Sequence, residues 1–316
     1  MKRLLAIGEA LIDFIPEETG KELKHVCGFQ PKVGGAPANV CGAYVKLGGE
    51  ASLITQLGQD PFGDKIVEEF TKAGINCGYV KRTAKANTSL AFVALKNDGN
   101  REFSFYRKPG ADMLLEAGDV KPEWFADAGV LHFCSVSLGD FPMKDAHRKA
   151  VEYAQEAGAI ISFDPNLRLA LWEDVQALKQ VILEFAPLAH VLKVSDEELE
   201  FITGKTDIRE ALPQLLTGNT KLVIYTRGSE GAEAFTARTS IYAASKKVKA
   251  VDTTGAGDGF IGSFLYCMQR DEVTVKELKK LTAEKLEEYL TFANRFCGIS
   301  VTRYGAIDSY PGLEEM

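Results

Sequence analysis

The sequence predicts an α/β protein in which helices cover both faces of a mostly parallel sheet, with a small additional β-sheet. From about residue 129 onward, short apolar runs alternate with amphipathic segments, and such alternation favours a parallel sheet covered by helices. Two glycine-rich turns, at 34–39 and 252–258, each lead into an apolar helical segment. A hairpin pattern at 88–106 stands outside this alternation and is typical of an antiparallel appendage.

The composition limits the classes of function. The chain has 316 residues, of which 46% are hydrophobic and 26% charged, with a formal net charge of −7. These values are ordinary for a soluble globular protein. No basic block stands out, which argues against a general nucleic-acid binder. No run of about 18 apolar residues exists, so we expect no membrane span.

Cysteine and histidine usage predicts a cytoplasmic protein without a zinc site. The six cysteines are scattered and form no C-x-x-C pair, which indicates reduced thiols. The four histidines are isolated and lack zinc-ligand spacing. The apolar part of the N-terminus is too short for a secretory signal.

The first strand is predicted at residues 4–8, followed by a second apolar segment at 11–15. Asp13 is expected at the end of the first strand, where ligands bind in open α/β sheets. A turn or capping acid explains Asp13 equally well. Residues 16–33 are polar and interrupted by Gly and Pro, so we expect an excursion of short strands outside the main sheet.

The sequence GGAPAN at 34–39 opens an apolar helix that continues through residue 47. Its glycines would let the backbone approach a ligand, and Asn39 offers both a donor and an acceptor to hydroxyl groups. A simple helix start explains the glycines but leaves Asn39 unexplained. A strand at 51–57 and a helix at 60–74 follow.

A β-hairpin is predicted from strands at 88–95 and 102–106, joined by the turn sequence NDGN at 97–100. Together with the excursion it forms a flap over one face of a single domain spanning 1–316, with flap strands from about 14–33 and 88–108. Arg107 and Lys108 follow this hairpin. They can meet an anionic or polyhydroxy ligand, or form an ordinary solvated basic pair.

The second half alternates strands and helices. Strands are predicted at 130–135, 159–163, 191–194 and 222–226, with a hairpin at 231–237 and 240–244. Helices are predicted at 143–157, 173–184, 196–203, 207–216, 257–270, 276–280 and 283–297. Polar residues gather where these strands end, which is the ligand-binding edge of such sheets.

The functional interpretation rests mainly on the stretch VDTTGAGDGFIG at 251–262. A β-branched run at 248–251 predicts a strand leading into the turn, and an apolar helix begins at Phe260. The amides of a first helical turn lack partners and carry partial positive charge, which suits a phosphate. An acid there would repel a resting phosphate, so we interpret Asp258 as a base that takes the proton of an attacking hydroxyl.

Other interpretations of this turn have less support in the sequence. It can be a simple connection before a helix. Residues 257–262 match G-x-G-x-x-G, but a dinucleotide site needs an acid at a strand end about 20 residues later, and 276–281 is predicted to be helical. An NAD-dependent oxidoreductase would need its fingerprint after the first strand, and the sequence GEA at 8–10 does not supply one. The Walker pattern G-x-x-x-x-G-K-[ST] is absent from the sequence.

Both glycine-rich motifs resemble one known family. GGAPAN at 34–39, with Gly48 and Gly58 at suitable distances, resembles the N-terminal signature of the PfkB (ribokinase-like) carbohydrate kinases. DTTGAGD at 252–258 resembles their C-terminal signature. The resemblance covers nearly the whole chain and predicts a ribokinase-like fold with a small β-sheet lid. The sequence EFSFYR at 102–107, followed by PGADML at 109–114, is most similar to the fructokinase branch.

The resemblance implies roles for the motif residues. Asp258 is the base, and the anion hole is formed by the amides of Gly255, Ala256 and Gly257. The sugar pocket is lined by Asp13, Gly34, Gly35, Asn39, Arg107 and Arg168. The residues near ATP or its Mg²⁺ are Lys193, Ser195, Glu198, Thr226, Gly228 and Asn294. The loops that hold a monovalent cation, usually K⁺, in relatives match Asp252, Thr254, Ser300, Arg303, Gly305 and Ser309.

The expected function is ATP-dependent phosphorylation of a ketohexose, and fructose is the favoured substrate. The partner is a small-molecule sugar, and the lid is a potential homodimer interface. One alternative is a kinase of 2-keto-3-deoxygluconate or another sugar acid, because Arg107 and Arg168 can bind a carboxylate bidentately. Another alternative is a sugar- or nucleotide-responsive regulator without activity, against which the intact Asp258 and anion hole argue.

The sequence departs from the family pattern at a few positions. The N-x-x-E stretch of the family reads SDEE at 195–198, so that serine replaces asparagine. Gly259 stands where many relatives have serine, and Cys41 and Ser263 also fall outside the strict patterns. None of these changes removes a reacting group.

Overall fold

The computed structural model describes residues 1–95 and 101–316. In this part of the chain, a large sheet has the strand order β13-β12-β11-β10-β9-β8-β1-β4-β5. Its strands are β1 (Arg3–Ile7), β4 (Ala51–Gly58), β5 (Val80–Thr83), β8 (Ala128–Cys134), β9 (Ile160–Asp164), β10 (Val191–Ser195), β11 (Leu222–Thr226), β12 (Gly231–Phe235) and β13 (Ser240–Ala244). The second, small sheet consists of β2 (Leu11–Pro16), β3 (Phe29–Gly34), β6 (Ser89–Leu95) and β7 (Arg101–Tyr106). The predicted hairpin turn at 97–100 lies outside the described residues.

The large sheet is mostly parallel, as the sequence predicts. The seven strands in the order β5-β4-β1-β8-β9-β10-β11 pair in parallel. Strand β12 pairs antiparallel with both β11 and β13 at the other edge. Every residue of β4 is buried, which is typical of a strand covered on both faces. The predicted α/β fold class is therefore confirmed.

The helices cover the two faces of this sheet. They are α1 (Ala36–Lys46), α2 (Pro61–Lys72), α3 (Met143–Glu156), α4 (Val175–Phe185), α5 (Asp196–Thr203), α6 (Ile208–Leu215), α7 (Ala256–Arg270) and α8 (Ala283–Ser300). Alternate residues of β1 face opposite sides: Leu4 packs into the core beneath α1, α7 and α8, whereas Leu5 packs into the core beneath α3 to α6.

Asp13 does not end the first strand of the large sheet, so this prediction is wrong. It lies within β2, which pairs antiparallel with β3 and parallel with β6 in the small sheet. The chain leaves the large sheet after Ile7, and the residues at 8–10 carry it across to the small sheet. Asp13 therefore belongs to the small sheet and not to the large one.

Two smaller predictions also differ from the structure, and one strand was not predicted. The β-branched run at 248–251 forms no strand, because its side chains are exposed and gain nothing from packing against a sheet. The helix predicted at 276–280 is reduced to a 3₁₀ turn at Leu278–Lys280. Strand β5 was not predicted, since its short sequence VKRT is polar and lies at a sheet edge.

Two properties of the described chain bear on its environment. In the ranges 1–95 and 101–316, no helix has the length and apolar character needed to cross a membrane. All six cysteines are free thiols, as their spacing predicts.

Candidate active site

The turn before α7 is shaped by glycine and supported from behind. Gly255 is the N-cap residue and has φ = 73°, in the left-handed region that favours glycine. A Cβ atom there would lie 2.7 Å from both Ala306 Cβ and the Tyr310 hydroxyl. The Tyr310 hydroxyl donates a hydrogen bond of 2.7 Å to the Gly255 carbonyl. The C-terminal segment therefore fixes the path of the turn.

The first turn of α7 has the amide groups expected of an anion site. Within the described chain, the amides of Gly255 and Gly257 donate to no backbone carbonyl, whereas the Ala256 amide donates to the Thr253 carbonyl at 3.2 Å. Unpaired amides at a helix N-terminus attract negative charge. Gly255 and Gly257 are thus better placed than Ala256 among the three predicted amides.

Asp258 lies in this first turn and is held by two amide side chains. Asn39 Nδ2 donates to Asp258 Oδ2 at 2.9 Å, and Asn166 Nδ2 donates to Oδ1 at 3.1 Å. The Asp258 carboxylate is buried. Burial raises its pKa, while the Asn39 hydrogen bond and the positive charges of Arg168 and Lys193 oppose that rise. Asp258 is therefore a positioned carboxylate that can accept a proton.

Asn39 reaches Asp258 because helices α1 and α7 pack very closely. Gly262 on α7 faces α1, where a Cβ atom would lie 2.8 Å from the Val40 carbonyl and from Ala43 Cβ. The small residue brings the N-terminal turns of both helices together. The two glycine-rich motifs, far apart in the sequence, thus meet at one site.

Asn166 is a site residue that the sequence analysis did not assign. It follows β9 and has φ = 44°, a left-handed conformation that asparagine tolerates better than most residues. Its backbone amide donates to Asp164 Oδ1 at 3.1 Å. Its place just beyond a strand end was the available signal, because ligand sites form there in parallel sheets.

Lys193 forms a buried ion pair beside the anion turn. Its Nζ lies 2.7 Å from Asp164 Oδ2, and both side chains are almost fully buried. The same Nζ lies 3.5 Å from the position that a Cβ atom on Gly257 would occupy. The ammonium group is therefore close to the helix end. Asp164 is one of the polar residues expected at the strand ends, but the sequence assigned it no role.

Glu198 is fixed by two backbone amides. Its Oε2 accepts a hydrogen bond of 2.8 Å from the Ser195 amide, and its Oε1 accepts one of 2.9 Å from the Leu167 amide. Ser195 is the N-cap residue of α5, a position for which serine is as suitable as asparagine. The departure from the family pattern at this position thus leaves the Glu198 carboxylate in place.

The other predicted nucleotide residues lie along the neighbouring edge. Thr226 ends β11 directly opposite Ser195 on β10, and Gly228 follows with a left-handed φ of 47°. Asn294 on α8 donates from Nδ2 to the Ala243 carbonyl at 2.9 Å. The structure thus brings Thr226 to the strand edge, while the Asn294 amide connects α8 to β13.

The residues predicted to hold a monovalent cation lie in two connected loops. Asp252 accepts hydrogen bonds from the Thr254 amide at 2.9 Å and from the Gly305 amide at 2.9 Å. The hydroxyls of Ser300 and Ser309 are 2.7 Å apart and buried. The Arg303 side chain instead pairs with Glu315, so only its backbone is available to such a site.

The sugar-side residues are spread over the connection between the two sheets. A Cβ atom on Gly34 would lie 2.3 Å from Asp13 Oδ2, and one on Gly35 would lie 2.5 Å from the Glu9 carbonyl. Both glycines therefore permit close packing that a larger residue would prevent. Arg168 is exposed, and its guanidinium donates to the Leu167 carbonyl at 2.9 Å.

Arg107 is buried, which contradicts the alternative that Arg107 and Lys108 form a solvated pair. Arg107 Nε donates to Asp112 Oδ2 at 2.9 Å, and the same guanidinium donates to Ser137 Oγ at 3.3 Å. Lys108 is exposed and pairs with Glu173. The Asp112 carboxylate balances the charge of Arg107, a partner that the linear sequence did not reveal.

Comparison with known proteins gives a consistent family assignment. The sequence profile described as "pfkB family carbohydrate kinase" matches residues 1–313. Probable fructokinase-5 from Arabidopsis thaliana is 40% identical over 309 residues, covering 98% of this chain and 94% of that protein.

Two solved structures are similar over nearly their whole length. Fructokinase with bound ATP from Xylella fastidiosa has a TM-score of 0.91 and 34% identity, with 99% of this chain and 96% of that chain covered. Fructokinase from Vibrio cholerae O395, in a form with bound fructose, ADP and calcium ion, has a TM-score of 0.88 and 31% identity, with 100% and 97% covered.

Proposed function

We propose a function from one premise: the chain belongs to the pfkB family of carbohydrate kinases. The proposed reaction is transfer of the γ-phosphoryl group of ATP to a terminal hydroxyl of fructose. The observation that carries the proposal is Asp258, a buried carboxylate at the N-terminus of α7 with both oxygens held by asparagine side chains. A base beside an anion-binding helix end matches the needs of phosphoryl transfer to an alcohol.

Asp258 accepts the proton of the sugar hydroxyl while that oxygen forms its bond to the γ-phosphorus and the bond to ADP breaks. The amides of Gly255 and Gly257 and the ammonium of Lys193 stabilise the negative charge on the transferring oxygens. Removing one such donor typically lowers the rate on the order of 10²- to 10³-fold. Arg168, whose charge acts on Asp258, lies on the sugar side.

Magnesium bound with ATP supplies charge neutralisation at the β- and γ-phosphates. Among the described residues, no group of three or more His, Cys, Asp or Glu side chains forms a metal cluster. Mg²⁺ in nucleotide sites is typically held by one or two carboxylates together with water and substrate phosphates. Glu198, with its carboxylate fixed by two backbone amides, would orient metal-bound water.

A potassium ion is proposed for the two loops that contain Asp252, Gly305 and the hydroxyls of Ser300 and Ser309. Carboxylate, hydroxyl and carbonyl oxygens are the ligands that hard cations prefer. These loops adjoin the Gly255 turn through Ala306 and Tyr310. An ion there would fix the turn that carries the anion-binding amides.

The small sheet is proposed to act as a lid that closes over the sugar and excludes water, which would otherwise compete as phosphoryl acceptor. It is also the proposed homodimer surface, which sedimentation of the purified chain would test. Because all six cysteines are free thiols, the proposed location is the reducing cytoplasm.

Fructose is favoured over a sugar acid for two reasons. The relatives described above are fructokinases, one of them with fructose bound. In addition, Asp112 balances the charge of Arg107, which weakens the case for that arginine as a carboxylate receptor. The 2-keto-3-deoxygluconate alternative then depends on Arg168 alone.

The test is a panel of sugars and sugar acids with ATP, followed by coupled detection of ADP with and without K⁺. We expect the highest kcat/KM for fructose and a lower rate when K⁺ is omitted. A higher kcat/KM for 2-keto-3-deoxygluconate would replace the substrate assignment. Absence of sugar-dependent ADP release across the panel would favour the regulator alternative.

A further inference from the structure

We infer that Asp164 is a positioning residue for phosphoryl transfer: its carboxylate holds the Lys193 ammonium beside the anion turn of α7. This inference rests on the proposed kinase function. Asp164 is the last residue of β9 and is 1% exposed, and its Oδ2 lies 2.7 Å from Lys193 Nζ.

The sheet register places these two residues together. Strands β9 and β10 pair in parallel with Leu192 opposite Phe163, so the next residues, Lys193 and Asp164, are neighbours at the same edge. Neighbouring parallel strands therefore provide the cation and its counter-ion without any flexible loop. Such a rigid pair is suited to holding a charge at a fixed point.

The Lys193 ammonium lies beside the amides that are proposed to bind the transferring phosphoryl group. It lies 3.5 Å from the position of a Cβ atom on Gly257, whose amide is part of the proposed anion hole. A buried ammonium without a partner carries a large desolvation cost and tends to lose its proton. Asp164 offsets that cost by direct contact and raises the pKa of Lys193. Burial raises the pKa of Asp164 itself to about 7, a rise that Lys193 opposes.

The charged neighbours of Lys193 come from several elements. Asp164 on β9, Glu198 on α5 and Asp258 on α7 all raise its pKa, whereas burial lowers it. His132 on β8 and Cys297 on α8 also interact electrostatically with Lys193. Burial lowers the pKa of His132 and raises the pKa of Cys297, so both side chains stay neutral. Asp164 alone among these acids contacts the ammonium directly at hydrogen-bond distance.

The other Asp164 oxygen accepts the Asn166 backbone amide at 3.1 Å, and the Asn166 side chain donates to Asp258. Asp164 can therefore influence the reaction in two ways: through Lys193, as we propose, or through Asn166 and the base Asp258. A double-mutant cycle separates these routes, because residues that act through one another show non-additive effects.

The experiment compares Asp164→Asn, Lys193→Met and the double variant with the wild type. We expect Asp164→Asn to lower kcat on the order of 10- to 100-fold, the usual range for a partner that orients a functional group without touching the substrate. The double variant should match Lys193→Met within about twofold, because Asp164 has no further effect once Lys193 is gone. A double variant well below Lys193→Met, or Asp164→Asn with wild-type kcat, would overturn the inference.

The pH profile gives a readout that a purely structural role would not change. In Asp164→Asn, the unpaired and buried Lys193 should lose its proton at lower pH, which adds an alkaline decline of kcat absent from both the wild type and Lys193→Met. An Asp164→Asn profile without that decline would contradict the inference. Asp119→Asn, which removes the partner of the surface residue Lys81, is the control and should behave as wild type.

Two measurements keep the test decisive. Thermal unfolding shows whether Asp164→Asn is folded. If it is not, the comparison of the double variant with Lys193→Met decides alone. Removing both partners of a buried ion pair is tolerated better than removing one. ATP affinity by calorimetry without sugar should also be weakened in Asp164→Asn. If the wild type phosphorylates no sugar, the proposed function fails, while the calorimetry still tests the role of Asp164.

Discussion

Asp258 is buried, and burial favours the protonated form of a carboxylic acid, which cannot act as a base. The surroundings counter this effect by hydrogen bonding and by positive charge: Asn39 donates to the carboxylate, and Arg168 and Lys193 contribute favourable fields. The balance sets the pH above which the base is available. At the scale of single residues, these polar neighbours therefore determine the pH range in which the acid can act as a base.

Asn39→Ala is predicted to move the acid limb of kcat to higher pH. The Asn39 amide stabilises the ionised form of Asp258 and lowers its pKa, so its loss raises that pKa and leaves less base at a given acidic pH. The measurement is kcat for fructose as a function of pH. Asn76→Ala, which changes an exposed turn, is the control. An acid limb that stays in place or moves to lower pH would contradict the assigned interaction.

The sequence motifs predicted Asp258 and Asn39, but not their partners. Asn39 lies in a glycine-rich motif whose composition already suggested a ligand site. Asn166 and Asp164 lie in an ordinary strand end, and their roles depend on which strands are neighbours in the sheet. That order is a property of the tertiary structure and cannot be read from local spacing.

Helices α1 and α7 determine whether Asn39 and Asp258 meet, because each side chain lies in the first turn of its helix. Their separation is limited by Gly262, at which any side chain would collide with the backbone of α1. Well-packed interiors resist such insertion. At the scale of elements, one small residue sets the distance between the two halves of the site.

Gly262→Ala is predicted to destabilise the protein by about 1–3 kcal/mol through overpacking and to lower kcat by separating α1 from α7. Gly298→Ala provides a matched change within a helix. No atom lies within 4 Å of a Cβ atom placed on Gly298, so removal of a helical glycine should stabilise the protein by about 0.5–1 kcal/mol. Urea unfolding measures both values. A neutral effect of Gly262→Ala would show that the helix contact is less tight than described.

Element prediction succeeded where burial and local preference agree. The buried apolar runs of the large sheet became strands, and the glycine-rich turns began α1 and α7. The run at 248–251 shows the opposite case: its valines favour a strand, but exposure on both sides leaves nothing for a strand to pack against. Strand β5 formed despite its polar sequence because β4 supplies its hydrogen-bond partners.

Five buried polar side chains lie where the two sheets meet. We call them the junction cluster: Glu9, Ser89, Arg107, Asp112 and Ser137. Arg107, just beyond the small sheet, bonds Asp112 and Ser137, while Ser137 donates to Glu9 at 3.1 Å. Burial raises the pKa of Glu9, and the charge of Arg107 opposes that rise. At the scale of the whole molecule, this cluster connects the end of the small sheet to the residues that follow β1 and β8.

Arg107→Ala is predicted to destabilise the protein by about 3–5 kcal/mol, because it leaves the Asp112 carboxylate buried without its partner. It should also raise the KM for fructose, since the lid loses its attachment. The measurements are thermal unfolding and steady-state kinetics. Lys108→Ala, next in the chain but exposed, is the control and should leave stability unchanged. Equal stability of the two variants would contradict the role of the junction cluster.

The architecture was predictable at this scale, whereas the junction cluster was not. Alternating strands and helices gave the parallel sheet, and the hairpin pattern indicated a separate small sheet. The pairing of Arg107 with Asp112 brings the end of β7 together with a later turn. The sequence had left open whether Arg107 meets a ligand or forms a solvated pair. Burial of a charged residue depends on a partner that only the folded chain supplies.

The most direct test of the account is Asp258→Asn, an isosteric change that removes the proton acceptor and keeps the fold. ATP affinity and thermal stability are compared with the wild type, together with kcat for fructose. We predict nearly unchanged ATP binding and a kcat lower by at least the order of 10²- to 10³-fold, as for other groups that act on the transition state. Turnover close to wild type in a folded, ATP-binding variant would contradict the role of Asp258 as the base.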